Sequence, residues 1–373
     1  MNADPIRTFL EEKILEREFP SVAWLVARGE DLVSSGALGL AHVEPEEIEA
    51  RFDTIYDLAS LTKPLATGLL AALLIERGEF SLADPVRRFL PEFDREDKRD
   101  ITFADLLSHR SGLEAWRPFY LEVEGATRDE RLSGIAARIA ELPLEYSTGS
   151  RVVYSDLNFI LLCAVIERIS GEDLSRAAES AIFGPLGLSR TCFVPPQDLR
   201  SSIAASEEGN QFEKETAEAA GFDVSGYGWR TETIVGEVHD GNAHFLGGIS
   251  GHAGLFADIS DTWKLARQFL PDSSRILKAE TCAIFTQDLT PGLEQARSVA
   301  FQLASTGTSS GHGALPESAF GHLGFTGTMV WIEPASASVF LLLTNRTHGR
   351  KPPFADLFET RREFLKLSFG LNP

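Results

Sequence analysis

Apolar positions near the N-terminus predict one helix followed by one strand pair. Apolar residues recur at three- and four-residue intervals from Ile6 to Ile14, which predicts an amphipathic helix over residues 6–19. Two runs rich in β-branched and apolar residues follow, at 22–27 and 32–37. The four residues "RGED" separate the two runs, so we expect an antiparallel hairpin.

The C-terminal part of the chain repeats this arrangement in reverse order. The runs "TMVWIE" (328–333) and "VFLLLT" (339–344) are joined by "PASAS", which predicts a second hairpin. A closing helix is predicted over about residues 354–367. Its apolar face would carry Leu357, Phe358, Phe364 and Leu365.

Strands at both ends and short helices between them predict an α/β (α+β) fold. We expect one antiparallel sheet flanked by helices, with a mostly helical domain inserted into it. The expected sheet domain is discontinuous, residues 1–80 and 236–373, and the helical domain spans 81–235. A site is expected near the inserted segment, because long inserted segments around a rigid sheet commonly carry function.

The composition of the chain limits which kinds of molecule it can bind and where in the cell we expect it. The chain has 373 residues and a formal net charge of −20, so repulsion from phosphate makes nucleic acid an unfavourable partner. The N-terminus lacks a basic region followed by an apolar run, and we identify no 18-residue apolar stretch, so we expect neither a secretory signal nor a membrane span. Three cysteines without CxxC spacing are expected to be buried, reduced thiols. We expect a cytoplasmic protein.

The stretch "DLASLTKPLATGLL" (57–70) places Ser60 and Lys63 three residues apart at the start of an apolar helix. At that spacing both side chains share one face of a helix. A serine hydroxyl becomes a nucleophile when a base takes its proton, and a lysine can be that base if burial lowers its pKa. A solvated surface lysine is the alternative interpretation.

Two further segments carry polar groups beside apolar elements. In "VVYSDLNFILLCAVIERISG", Tyr154 and Asp156 stand at the entrance of a predicted helix. In "AFGHLGFTGTMVWIE", His322 and Gly324 lead into a predicted strand, where glycine allows a ligand to approach the backbone. A packing tyrosine and a structural histidine are the alternative interpretations.

The ordered motifs SxxK, YxD and HxG resemble the serine β-lactamase and penicillin-binding protein superfamily. The class C β-lactamase-like branch, which includes DD-peptidases, D-amino-acid-specific peptidases and esterases, is the nearest in pattern. Segments such as "ITFADLLSHRSGL" and "LLLTNRTH" are similar to that family too, over about residues 20–350. The resemblance implies a sheet domain, a helical domain and a site between them.

The resemblance also implies roles for individual residues. Ser60 matches the acylated nucleophile, Lys63 its base, and Tyr154 the tyrosine that exchanges protons with nucleophile and leaving group. The oxyanion hole would be formed by the backbone N–H groups of Ser60 and Phe325. Lys63 beside the phenol would favour tyrosinate by charge attraction.

Two departures from the family pattern affect substrate binding. Asp156 stands where asparagine is usual; an ionised aspartate cannot donate a hydrogen bond and would raise the pKa of Lys63. His322, Leu323 and Gly324 replace the usual KTG, whose lysine and threonine help bind a substrate carboxylate. We therefore expect a serine hydrolase that acts on a small ester or other uncharged acyl substrate, without a cofactor.

Two alternatives to that function stay open. The first is a β-lactamase or a D-amino-acid-specific peptidase, so the substrate class extends from esters to amides and β-lactam-like molecules. The second is a non-catalytic ligand-binding member of the fold, because Asp156 and Leu323 depart from the motif.

Two other patterns are set aside. "GTSSG" matches the GxSxG pattern around Ser309, but a turn-rich loop follows it where that motif needs a helix. The segment "VHDGNAHFLGGISGHAG" clusters His239, Asp240, His244 and His252, a composition that could bind zinc, yet the spacing matches no zinc motif. We expect no metal there and interpret this glycine-rich segment as a rim of the cleft.

Overall fold

Seven antiparallel strands form the main sheet of the protein, seen in a computed structural model that describes residues 4–44 and 46–371. Their order across the sheet is β3-β2-β1-β9-β8-β7-β6. A separate two-stranded sheet pairs β4 with β5. The strands are β1 Ser21–Arg28, β2 Asp31–His42, β3 Ile48–Glu49, β4 Tyr56–Asp57, β5 Phe256–Ala257, β6 Gln302–Leu303, β7 Phe320–Leu323, β8 Met329–Glu333 and β9 Ser338–Thr344.

Both predicted hairpins are present, and β1 joins them at the centre of the sheet. β1 pairs with β2 on one side and with β9 on the other, so Trp24 lies opposite Gly36 and Leu342. A Cβ at Gly36 would collide with the Trp24 ring, which explains a glycine within this strand. The two ends of the chain thus build one sheet, and the predicted fold class is confirmed.

Alternate residues of β1 enter two different hydrophobic clusters. Val22, Trp24 and Val26 pack in the cluster that includes the two terminal helices, whereas Ala23 and Leu25 face the larger core on the other side. This period of two is what a pleated strand imposes when both faces are covered. The sheet is therefore sandwiched between helical layers.

The terminal helices are α1 Pro5–Leu15 and α12 Phe358–Gly370. α1 ends four residues before the predicted boundary, and Arg17 beyond it has a left-handed backbone (φ 61°). α12 begins four residues later than predicted, where Asp356 Oδ1 accepts from the Phe358 N–H at 3.0 Å. Its predicted face is buried at Leu357, Phe364 and Leu365, with Phe358 half-buried.

Every named element between residues 81 and 235 is helical. The longest helix there is α5, whose predicted end before Gly171 is confirmed by a left-handed C-cap (φ 73°). The division of the chain into domains at 80/81 and 235/236 stays a prediction. The remaining α-helices are α3 Phe103–Leu107, α4 Arg128–Glu141, α5 Asp156–Ser170, α6 Leu174–Ala178, α7 Gly184–Leu186, α8 Gln211–Ala219, α9 Gly241–Phe245, α10 Ile259–Ala266 and α11 Ala279–Cys282.

The central helical segment α2 spans Ala59–Glu76 and carries the Ser-x-x-Lys motif. It starts with a tight 3₁₀ turn, widens to π geometry over Lys63–Gly68 and continues as a regular α-helix. By length and a mean hydropathy of 1.3 it could cross a membrane, so the sequence-based statement that no such stretch exists is wrong. Because 83% of it is buried inside the fold, α2 is the core helix on which the site is built.

The three cysteines are free thiols. Cys163 and Cys282 are buried, as predicted, and Cys192 is half-buried. Burial raises the pKa of Cys192 and of Cys282 to about 11, so these two thiols stay protonated at neutral pH.

Candidate active site

The turn that presents Ser60 is held by hydrogen bonds from distant parts of the chain. Ala59 adopts a left-handed backbone (φ 48°), which costs a non-glycine residue about 1 kcal/mol. Asp57 Oδ1 accepts from the Ala59 N–H at 2.8 Å. The Thr326 and Thr328 hydroxyls donate to the carbonyls of Asp57 and Leu58 at 2.7 and 2.9 Å. The strained turn is therefore fixed from β4 and from the turn after β7.

Lys63 is fully buried and has three partners for its ammonium group. Its Nζ donates to Ser60 Oγ and to the His252 carbonyl, both at 3.0 Å, and pairs with Asp156 Oδ1 at 2.7 Å. Burial acts to lower the pKa of Lys63, but the Asp156 carboxylate and the Tyr154 phenol outweigh it, so the net pKa lies above the ordinary 10.5. The resting lysine is an ammonium, in agreement with the effect expected of Asp156.

Tyr154 lies against the same ammonium, with its ring centroid 4.8 Å from Lys63 Nζ. Its hydroxyl oxygen is buried and has no hydrogen-bond partner among the described residues. Burial raises the pKa of Tyr154, and Asp156 adds to this, so Lys63 does not bring the net value below 10. Lys63 lowers the pKa of Tyr154, as expected, but burial outweighs this effect and the phenol is protonated in the resting site.

Two neutral histidines flank Tyr154. His109 Nδ1 accepts from the Ser155 N–H at 3.1 Å, and its ring centroid lies 4.6 Å from that of Tyr154. His322 Nδ1 donates to the Leu323 carbonyl at 2.8 Å, which leaves its buried Nε2 as a lone-pair acceptor. Burial first, and nearby cations second, hold the pKa of both rings well below 6.5, so His322 is neutral as predicted.

Of the two oxyanion donors expected from the family resemblance, the Phe325 N–H is available to a ligand. The Phe325 N–H has no acceptor within the part of the chain that the structure describes. Gly324 precedes it, and a Cβ there would collide with Thr328 Oγ1 and the Leu58 carbonyl. Position 324 therefore requires a glycine, because only a glycine lets this turn pack against the Leu58 carbonyl, two residues before Ser60.

A cavity of about 460 Å³ opens over these groups. The structure brings every predicted site residue to it, with Lys63 buried directly behind Ser60. The predicted residues that line the cavity are Ser60, Tyr154, Asp156, His322, Leu323, Gly324 and Phe325.

Sequence reasoning missed Arg297, which also lines the cavity. Arg297 is 6% exposed, donates to Gln295 Oε1 at 2.9 Å and lies 5.5 Å from the Tyr154 ring. Its Nε has no partner among the described residues, and burial lowers its pKa to about 10. Arg297 therefore gives the cavity a cation in addition to Lys63, although the third motif lacks the usual lysine.

A second missed residue is Glu213 on α8, a buried carboxylic acid in the cavity wall. The sequence held one faint signal for it: Glu213 and Ala217 are four apart and share the buried face of α8. Arg297 follows a half-buried alanine in a loop, where sequence offered no comparable signal.

The clustered histidines do not form a common site. His239 bonds Glu207 at 2.7 Å, and His244 faces Glu237 at 3.5 Å. Asp156, Asp240 and His252 do approach one another, with ligand atoms within 4.8 Å, a spacing that could hold a metal ion. His252 Nε2 already bonds Asp240 at 2.8 Å, however, and Asp156 pairs with Lys63. The glycine-rich segment supports Lys63 through the His252 carbonyl.

Ser309 lies in a turn, with neither a strand before it nor a helix after it. It is buried, and its Oγ accepts from the His312 N–H at 3.1 Å. The rejection of GxSxG as a nucleophile motif is confirmed.

Comparison with known proteins agrees with this geometry. The family model described as "Beta-lactamase" matches residues 6–361. The chain belongs to the Beta-lactamase family.

Curated relatives extend over most of the chain. A protein of Escherichia coli (strain K12), named "Putative D-alanyl-D-alanine carboxypeptidase", is 31% identical over 368 residues, covering 91% of this chain and 80% of the relative. A protein of Salmonella typhimurium with the same name is 32% identical over 366 residues, covering 90% and 81%.

Solved structures share the fold. EstCE1, described as a hydrolase with promiscuous acyltransferase activity, is 21% identical with a TM-score of 0.71, covering 97% of both chains. A class C β-lactamase from Rhodobacter sphaeroides is 17% identical with a TM-score of 0.73, covering 99% of this chain and 100% of its own. At these identities the likeness concerns the fold alone.

Proposed function

We propose that this protein is a serine hydrolase that cleaves small ester or other acyl substrates through an acyl-enzyme on Ser60. One observation carries the proposal: Ser60 Oγ lies 3.0 Å from Lys63 Nζ at the floor of a cavity, beside the free Phe325 N–H. A nucleophile, a proton acceptor and an oxyanion donor within one site are the requirements of acyl transfer.

The Lys63–Asp156 pair determines how Ser60 loses its proton. As an ammonium, Lys63 can only donate to Ser60 Oγ, so it must first release one proton to solvent, against the attraction of the Asp156 carboxylate 2.7 Å away. The neutral amine then takes the Ser60 proton as Oγ attacks the carbonyl carbon, and the oxyanion is held by the Ser60 and Phe325 N–H groups.

Tyr154 completes the cycle by proton transfer. Its hydroxyl passes a proton to the leaving group and is reprotonated by Lys63, so the acyl-enzyme forms with the leaving group released as an alcohol or amine. Water then attacks the ester on Ser60 by the reverse sequence of proton transfers, which releases the acid and restores the serine.

A D-amino-acid-specific carboxypeptidase is the second candidate, and Arg297 favours it. A buried guanidinium without a carboxylate partner is suited to a substrate carboxylate, which it binds in bidentate fashion. In a carboxypeptidase that carboxylate belongs to the leaving residue. The names of the curated relatives support the same candidate.

Covalent labelling tests the proposal. A fluorophosphonate should add to Ser60, detected by peptide mass spectrometry, and Ser60→Ala should abolish both the label and p-nitrophenyl acetate turnover. Ser309→Ala is the matched control, because this serine is buried outside the cavity, and it should keep both. A label elsewhere, or turnover that survives Ser60→Ala, contradicts the proposal.

A substrate panel separates the candidates. Short-chain esters, nitrocefin and peptides ending in D-alanyl-D-alanine are compared by kcat/KM. Ester turnover with inert nitrocefin and peptide supports the esterase, and Ser60-dependent release of terminal D-alanine supports the carboxypeptidase. Rapid nitrocefin hydrolysis would instead indicate a β-lactamase, and ligand binding without any turnover a non-catalytic protein.

A further inference from the structure

Glu213 is a buried carboxylic acid that the proposed chemistry does not use. It is 6% exposed, lies on α8 and lines the same cavity as Ser60. Its Oε1 has no hydrogen-bond partner among the described residues. Because an unpaired buried acid is costly, a group of this kind within a cavity wall indicates a missing ligand.

The surroundings of Glu213 leave it short of a positive partner. Burial first, and the neighbouring Asp240 second, raise its pKa well above 4.5. Arg230 is the nearby cation, but its guanidinium donates to Asn210 Oδ1 and to the carbonyls of Val238 and His239 at 2.7–2.8 Å.

A glycine lets the Glu213 carboxyl pack directly against the backbone of α9. A Cβ at Gly241 would overlap both carboxyl oxygens of Glu213. The Tyr120 hydroxyl, also without a partner among the described residues, faces the same carboxyl. The Gly241 backbone and the Tyr120 phenol thus surround the Glu213 carboxyl, and neither supplies a positive charge.

The charged groups that line the cavity lie in two places. Arg297 lies 5.5 Å from the centroid of the Tyr154 ring. The Glu213 carboxyl instead packs against Gly241, the residue that follows Asp240. The cavity therefore has a cationic end at Arg297 and an acidic end at Glu213 and Asp240.

We propose that Glu213 and Asp240 form a subsite for a protonated primary amine on the acyl part of the substrate. The inference rests on the proposed acyl-enzyme chemistry and on a leaving-group carboxylate at Arg297, which directs the acyl part to the opposite end. An ammonium supplies both the charge and the N–H donors that Glu213 lacks, and its arrival ionises the carboxyl. The preferred substrates then carry a free amine, in the manner of an amino-acid ester or a short peptide.

Paired substrates test the subsite. D-alanine methyl ester and N-acetyl-D-alanine methyl ester differ in whether the amine can carry a charge. The wild-type kcat/KM should favour the free amine about tenfold or more, mainly through KM, and Glu213→Gln should reduce that ratio about tenfold. Because the readout is a ratio, a general loss of activity in the variant cancels.

The matched control is Glu218→Gln, an exposed acid on the same helix, which should keep the wild-type ratio. If Glu213→Gln fails to fold, the wild-type protein still decides the matter: n-butylammonium should inhibit p-nitrophenyl acetate turnover competitively, and n-butanol at equal concentration should not. Equal turnover of the two esters, or equal inhibition by amine and alcohol, overturns the subsite.

A binding measurement separates this inference from the proposed function. Calorimetric titration with D-alaninamide and with N-acetyl-D-alaninamide requires no turnover. Tighter binding of the free amine, weakened in Glu213→Gln, supports the subsite even if Ser60 is never labelled. Labelled Ser60 with no preference for the free amine overturns the subsite and leaves the hydrolase proposal intact.

Discussion

At the scale of single residues, Asp156 determines the protonation state of Lys63, the partner of the proposed nucleophile Ser60. Burial lowers the pKa of Lys63, and the carboxylate 2.7 Å from it outweighs that effect. Lys63 and Asp156 are therefore an ion pair at rest, and the ammonium donates a hydrogen bond to Ser60 Oγ. The reactivity of Ser60 depends on how readily one proton leaves the lysine.

Asp156→Asn should shift the pH dependence of acylation toward lower pH. The wild-type pKa of Lys63 is raised, so kcat/KM that depends on the neutral amine increases with pH into the alkaline range. The amide removes the largest cause of the increase in pKa and restores the asparagine usual in this motif, so the alkaline rise moves down. A pH–rate profile with p-nitrophenyl acetate measures this, and an unshifted profile contradicts it.

Arg297→Gln should reduce discrimination in favour of carboxylate substrates. The guanidinium is buried and has no carboxylate partner among the described residues, whereas glutamine is neutral and shorter. We expect the kcat/KM ratio of a D-alanyl-D-alanine peptide to its C-terminal amide to fall about tenfold. Arg267→Gln, remote from the cavity, is the control. An unchanged ratio would show that Arg297 does not recognise the carboxylate.

Single residues also mark the limit of sequence-based prediction. Ser60, Lys63, Tyr154 and His322 could be predicted because their motifs have a characteristic order. Arg297 and Glu213 could not, since a loop and a short helix bring them to the cavity only through tertiary packing. A buried charge in such a segment has the sequence context of an exposed one.

At the scale of elements, Asp258 caps α10 at the expense of stability. Its side chain accepts from the Asp261 N–H at 2.8 Å, but burial first, and Asp261 in addition, raise its pKa from 3.8 to about 6. The folded protein holds this proton more tightly than the unfolded chain. The free energy of unfolding therefore falls as pH rises from about 4 to about 6 and stays lower above.

Asp258→Asn should therefore stabilise the protein at pH 8. Asparagine is an equally good N-cap and carries no charge to bury. We expect the free energy of unfolding to rise by about 1–2 kcal/mol at pH 8, with the gain absent at pH 4. Urea titrations at both pH values measure the difference. A loss of stability at pH 8 would show that ionised Asp258 is needed, through Arg190 3.9 Å away.

Sheet elements were predicted well because β1, β8 and β9 are continuous apolar runs that lie between turn residues. Helix ends were less accurate: α1 and α12 each differ by four residues at one boundary, the first near the left-handed Arg17 and the second where Asp356 accepts from the Phe358 N–H. The π geometry of Lys63–Gly68 could not be predicted from the apolar pattern. All six residues are buried, so their hydrophobicity has no periodic variation that would mark the wider turn.

At the scale of the whole molecule, a net charge of −20 affects how charged substrates arrive. The negative potential of the protein repels anions and attracts cations. Salt screens both effects, with a Debye length of about 10 Å at 0.1 M. Raising NaCl from about 20 to about 300 mM should increase kcat/KM about twofold for an anionic ester, and decrease it for a cationic ester. A neutral ester is the control, and equal responses of the three esters contradict the prediction.

The hydrogen bonds from Thr326 and Thr328 to Asp57 and Leu58 join positions about 270 residues apart in the chain. Ser60 is synthesised about 270 residues before the threonines that hold its turn. A growing chain on the ribosome would thus carry the serine and its lysine before Phe325 exists. Under the proposed mechanism, an acyl-enzyme can form only after the segment around Phe325 has been made and has folded against Ser60.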